Sequence, residues 1–148
     1  MPDLALKQTH IIFVAGAVYK RGKILVGRRG LDESHEPGLW ALPGGKVDRT
    51  KGGFKNILES TLKKEILEEV GVQIDHEKSR YIYSTTFIRS TGHHVVALLF
   101  LCPWKSGKPK ALEDTMETAW VGKNDLNKFD WAHGTLESLR IAFNALAM

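Results

Sequence analysis

The chain has 148 residues, 43% hydrophobic and 26% charged, with a formal net charge of +4 at pH 7. This is the size and balance of one globular domain spanning 1–148, and no apolar run nears the roughly 18 residues of a membrane span. A single cysteine, Cys102, excludes an internal disulfide framework and fits a reducing, cytoplasmic location, while lysines and arginines gather only in short pairs, so neither a nucleic-acid polymer nor a membrane is an expected partner.

In chain order, HIIFVAGAVYK (10–20) is β-branched and apolar and predicts a strand. Arg21–Gly22 predicts a turn, and KILVGRR (23–29) the return strand of a hairpin. GLDESHEPG (30–38) is a polar loop, and LWALPGGKVD (39–48) a short strand running into a Pro-Gly-Gly break. RTKGGFK (49–55) is a basic loop. A helix over 57–70 follows, with Asn56 as N-cap, Glu59 at capping-box spacing and Gly71 closing it. Leu58, Leu62, Ile66 and Val70 recur every four residues as its buried stripe. Strands are expected at 80–90 and 93–104 around Thr91–Gly92, then a turn at KSGKPK and a short strand at 117–121. A second helix over 134–148 buries Leu136, Leu139, Phe143 and Leu146. Cys102 ends an apolar run and is expected in the core. Mixed strands with two helices predict an α/β (α+β) fold, a sheet covered on both faces.

The segment KEILEEVGV (64–72) is the one that local physics disfavours. At about 100° per residue, Glu68 and Glu69 lie roughly −60° and +40° from Glu65, so three carboxylates share one face beside the apolar stripe. Glu65–Glu68 and Glu65–Glu69 are like-charge pairs at helix-neighbour spacing. Glu68 and Glu69 also occupy the last turn, where the helix dipole is negative. A solvated acidic face is the simple explanation. A hard divalent cation, Mg²⁺ or Mn²⁺, would instead make the cluster favourable.

LWALPGGKVD followed by a helix ending KEILEEVGV resembles the signature of the Nudix hydrolases. That pattern is Gly, five residues, Glu, seven residues, then Arg-Glu-U-x-Glu-Glu-x-Gly-U, with U bulky and aliphatic. Gly45 stands as the first glycine, and Glu65, Ile66, Glu68, Glu69, Gly71 and Val72 fall on the later positions. The hairpin ending Gly27–Arg28–Arg29 and the GLWALPGG lead-in also look like the family, so the resemblance runs from about residue 10 to 146. There are departures. Eighteen residues separate Gly45 from Lys64 where the pattern has thirteen. Asn56 replaces the early glutamate and Lys64 the arginine, with Asp48 and Glu59 both available as a substitute carboxylate.

The resemblance implies a Nudix-like α/β/α sandwich, a mixed sheet between helices, and Mg²⁺- (or Mn²⁺-) dependent attack of water on a nucleoside diphosphate linked to some group X. Glu65, Glu68 and Glu69 would carry the chemistry. Glu68, Glu69 and the Gly45 carbonyl would hold metal, Glu65 would be a ligand or the general base, and Glu113 or Glu117 would add a later carboxylate. Arg28, at the strand end facing the loop, is the implied phosphate contact, and Lys46 is a further candidate for substrate binding. Phe87 and Asp130 stand among residues able to stack on, or hydrogen-bond to, a base. A chain with almost no extra segments looks like the MutT-type enzymes that cleave nucleoside triphosphates to monophosphate and pyrophosphate. A nucleotide sugar, ADP-ribose or a dinucleotide is the alternative substrate, and a nucleotide-sensing module with weak catalysis the alternative of another class. Family members are often homodimers.

Overall fold

In the computed structural model, which describes residues 9–148, the first two apolar runs pair as a hairpin. β1 (Ile11–Lys20) and β2 (Lys23–Arg29) turn at Arg21 and Gly22, both with positive φ (51° and 79°). Two positive φ values in a two-residue loop match the right-handed twist of the flanking strands. Next come β3 (Trp40–Ala41), β4 (Gly44–Lys46), α1 (Ile57–Val70), β5 (Gln73–Ile74), β6 (Arg80–Ile88), β7 (His94–Ser106) and β8 (Thr115–Gly122). A 3-10 helix (Lys123–Lys128) and α2 (Thr135–Leu146) complete the described chain.

The sheet is mixed. β7 runs parallel to β1, from Ile11 opposite Val95 to Tyr19 opposite Pro103, and antiparallel to β6. β8 and β3 pair with β2, β4 with β1, and β5 with the end of β7. Side chains alternate across a strand, and here each face has its own core. Val14, Val18, Leu25, Phe100 and Cys102 pack with Leu62, Ile66 and Val70 of α1. Ala17, Ile24, Val26, Leu99, Leu101 and Val121 pack with Leu139, Ala142 and Phe143 of α2. The result is the expected α/β/α sandwich. Cys102 is fully buried, as expected, and its thiol is pushed up to about 12 by that burial. No helix among the described residues is long and apolar enough to cross a membrane.

Several expectations needed correction. The Pro-Gly-Gly break ends at Pro43, because Gly44 and Gly45 continue as β4 against Ala15 and Val14. A Cβ on Gly44 would collide with the Val14 carbonyl oxygen, so only glycine lets β4 lie this close. Asn56 does not form a capping box: it is left-handed (φ 57°, ψ 40°) and its side chain makes no cap hydrogen bond. In α2, Leu139 and Phe143 are buried as expected, but Leu136 and Leu146 are only half-buried, and Thr135 and Ala142 complete the buried face.

Candidate active site

α1 leans on the sheet through Thr61, Leu62, Ile66 and Val70. That contact turns Glu65 and Glu69 inward to half-buried positions beside β4, while Glu68 stays exposed. The three carboxylates therefore do not share one environment. The Glu69 carboxyl is pushed up to about 8. Burial is the main cause; the charges of Glu65 and Glu113 add to it, and Arg29 and a Gly44 N–H donated to Oε2 at 3.4 Å oppose it. The Glu65 carboxyl is also raised, by burial first and then by Glu68, with Lys64 opposing. Gly45 presses its bare Cα face on Glu65: an added Cβ would lie 2.5 Å from the carboxylate carbon and 2.9 Å from Oε1.

The loop before β8 brings a further carboxylate. The C-terminal carbonyls of a helix lack internal partners, and here the Lys110 and Leu112 N–H groups bond those of Val70 and Glu69 at 2.9 and 3.1 Å. The loop is thereby tied to the end of α1. Glu113, held at a positive φ of 50°, then lines a cavity of about 100 Å³ together with Glu69, Asp114, Glu33, Arg29 and Pro43.

Of the two later carboxylates, Glu113 is thus the one beside Glu65 and Glu69. Glu117 stands directly opposite Arg28 in the β2–β8 ladder and is ion-paired to it at 2.8 Å. Strand alternation sends Gly27 and Arg29 toward α1 and Arg28 to the other face. Arg28 does not line the cavity; its Nε donates to the Gly38 carbonyl at 2.8 Å. Lys46 is exposed on β4 next to Gly45. Phe87 is 45% exposed on β6, and Asp130 is exposed with its carbonyl accepting from the Trp40 N–H at 2.9 Å. Neither Phe87 nor Asp130 lines the cavity. Sequence reasoning overlooked Arg29, Glu33 and Asp114. The signal was present for Arg29, since adjacent arginines on a strand face opposite ways.

Among the described residues, no three histidine, cysteine, aspartate or glutamate groups stand close enough to form a ready metal cage. The donor chemistry still fits a hard divalent cation. Glu65, Glu68, Glu69 and Glu113 supply only carboxylate oxygen, and burial, with like charge, holds Glu65 and Glu69 above their ordinary range. Mg²⁺ uses one or two carboxylates, retained waters and substrate phosphates rather than an all-protein cage.

A model of the NUDIX domain matches residues 10–140. The chain belongs to the Nudix family. Nucleoside triphosphatase NudI of Escherichia coli O139:H28 is 28% identical over 136 residues, which cover 86% of this chain and 93% of NudI. A crystal structure of a MutT NUDIX hydrolase from Burkholderia pseudomallei matches with a TM-score of 0.71 at 26% identity, covering 90% of this chain and 98% of that one. The NUDIX domain of Shewanella oneidensis NrtR, solved with ADP ribose, shares the fold: TM-score 0.74, 18% identity, 94% of this chain and 90% of that one. The chain is a Nudix-type pyrophosphohydrolase, acting on the phosphoric anhydride of a nucleoside diphosphate linked to X. Within this Nudix fold, the arginine-to-lysine change at position 64 is met by Asp48, 3.5 Å from the Lys64 ammonium, with Glu65 at 3.9 Å. Asp48, rather than Glu59, is the carboxylate that Lys64 engages.

Proposed function

We propose that this Nudix hydrolase is a Mg²⁺-dependent nucleoside triphosphate pyrophosphohydrolase, converting NTP or dNTP to the monophosphate and pyrophosphate. The observation that carries it is the half-buried carboxylate group at Gly45, with Glu69 poised near neutral pH and Glu113 drawn in beside it. The nucleoside triphosphatase that the chain matches along nearly its whole length supports the choice of triphosphate.

Glu68 and Glu69, with the Gly45 carbonyl, would hold the cation, and Glu113 would complete the set. Mg²⁺, or Mn²⁺ in its place, would polarise the anhydride and offset charge developing on its oxygens. The protein's own groups do the rest. Glu65, raised above its ordinary range, would take a proton from the attacking water. Its contact with Gly45 fixes where that carboxylate points. A cation held by Glu69 would displace that carboxyl's proton, so cation binding would release protons at neutral pH. Arg29 brings a positive charge to a cavity lined by four carboxylates, Glu33, Glu69, Glu113 and Asp114. The domain works in the cytoplasm as one unit, with homodimerisation open to direct measurement by light scattering.

The test is phosphate release from NTPs, dNTPs, ADP-ribose, GDP-mannose and dinucleotides with Mg²⁺, each with added pyrophosphatase or phosphatase. Signal from triphosphates only with pyrophosphatase is the expected result. Phosphatase-dependent signal from the diphosphate conjugates would replace this substrate class. Silence across the panel with nucleotide binding intact would make the domain a sensor.

A further inference from the structure

The loop Gly30–Gly38 lies outside every strand and helix, yet two consecutive arginines of β2 hold it from opposite faces of the sheet. Arg29 donates Nε to the His35 carbonyl at 2.8 Å and approaches Glu33 at 3.5 Å on the cavity side. Arg28 donates Nε to the Gly38 carbonyl at 2.8 Å and Nη1 to Glu117 at 2.8 Å on the other side. Backbone bonds close the base of the loop: Arg29 N–H to Leu39 at 2.8 Å, Gly38 N–H to Arg29 at 3.0 Å and Gly30 N–H to Asp114 at 2.7 Å. A further tie comes from the His133 N–H, which donates to the Glu36 carboxylate at 2.7 Å. What the loop carries into the cavity is Glu33.

We propose that Arg28 is a positioning residue: with Glu117 as its brace, it grips the loop from the face opposite Arg29 and so holds Glu33 at the mouth of the cavity. This rests on that cavity being the active site. The geometry argues against a direct phosphate contact. Arg28 points away from the cavity, and its fork is committed to a carbonyl and a carboxylate at once. Glu117 lies opposite it in the ladder, so the brace is built into the sheet. The pair is part-exposed, with side chains 34% and 51% accessible, and contributes little to global stability. Its content is directional, since a planar guanidinium can serve two acceptors at fixed angles and an ammonium cannot.

The deciding experiment compares Arg28→Ala, Arg28→Lys, Glu117→Gln and the Arg28→Ala/Glu117→Gln double variant. The first readout needs no substrate: the rate at which a glutamate-specific protease nicks the native fold after Glu33, since the bond after Glu36 leads into Pro37 and resists cleavage. All three single variants should be nicked several-fold faster at nearly unchanged Tm. The double variant should be no worse than the worse single one, because residues sharing one interaction are non-additive. The second readout is kinetics on whichever nucleotide the wild type hydrolyses. KM should rise several-fold in both Arg28→Ala and Glu117→Gln, with kcat changed less and the Mg²⁺ midpoint unmoved. Equal nicking of all variants would overturn the proposal. So would a Glu117→Gln enzyme with wild-type KM beside a crippled Arg28→Ala, which would make Arg28 a substrate contact. A shifted Mg²⁺ midpoint in Glu117→Gln would make Glu117 a ligand instead. If no nucleotide is hydrolysed, the proposed substrate fails and the nicking rates alone still decide.

Discussion

Glu69 is a carboxyl whose folded-state value, about 8, lies well above its ordinary 4.5. The sign of its linkage follows. Between those values the folded state holds a proton that the unfolded state has lost. Its stabilising contribution is therefore full below about pH 4.5 and is lost as pH rises through about 8. A tenfold change in proton affinity is worth about 1.4 kcal/mol, and each kcal/mol about 2–4 °C in Tm at this chain length. Metal-free wild type should lose Tm steadily over that range. Glu69→Gln, which keeps the shape without the charge, should flatten the slope and melt higher at pH 8 while losing turnover by orders of magnitude. Thermal scans in chelator check the first part; parallel slopes in the two proteins would sink it. Gly45 offers a second prediction, because its neighbour can yield and Gly44's cannot. Gly45→Ala should fold with little change in Tm and lose at least tenfold in kcat as Glu65 is displaced. Gly44→Ala meets backbone and should cost about 1–3 kcal/mol or more in urea unfolding.

The α1 helix tests how local rules fare when tertiary structure has a say. Its apolar stripe was legible because burying Leu62, Ile66 and Val70 on one face is the helix's main stabilisation. Its end was legible because Gly71, at φ 73°, returns its N–H to the Leu67 carbonyl. Its start was misread. Asparagine suits both an N-cap and the left-handed region, and the sequence pattern is the same for either. The long 49–55 loop enters α1 through a left-handed turn at Asn56, whose carbonyl accepts the Ser60 N–H at 3.0 Å. The two geometries respond differently to substitution. A true N-cap tolerates serine, whereas a left-handed residue tolerates glycine and penalises serine by about 1–2 kcal/mol. Asn56→Gly should therefore be neutral or slightly stabilising in urea unfolding, and Asn56→Ser should destabilise. The reverse order would restore the capping box. Strand β5 was illegible for a different reason: two residues carry no periodicity. The glycines of β4 read as a break because glycine weakens isolated strands, while here the closeness of β1 requires them.

Charge distribution across the whole molecule poses the last problem. The chain carries a net +4, yet its cavity is lined by Glu33, Glu69, Glu113 and Asp114 against one guanidinium, Arg29. The sheet covered on both faces was readable from mixed strands with two helices, and the role of the α1 glutamates from the signature they resemble. This imbalance was not, because Glu33 and Asp114 are ordinary loop residues until topology folds them against α1. A triphosphate entering such a cavity meets like charge. It can stay only if cations sit between the two sets of oxygens. Nucleotide and cation should therefore bind together, each raising the other's affinity by the same factor. A non-hydrolysable triphosphate analogue, titrated calorimetrically, should bind at least tenfold more weakly in chelator than in saturating Mg²⁺, about 1.4 kcal/mol or more of coupling. Glu69→Gln should shrink that coupling. Equal affinity with and without the cation would place the phosphates elsewhere, on the exposed basic loop of Arg49, Lys51 and Lys55. The carboxylates of α1 would then be holding something other than the substrate's charge in check.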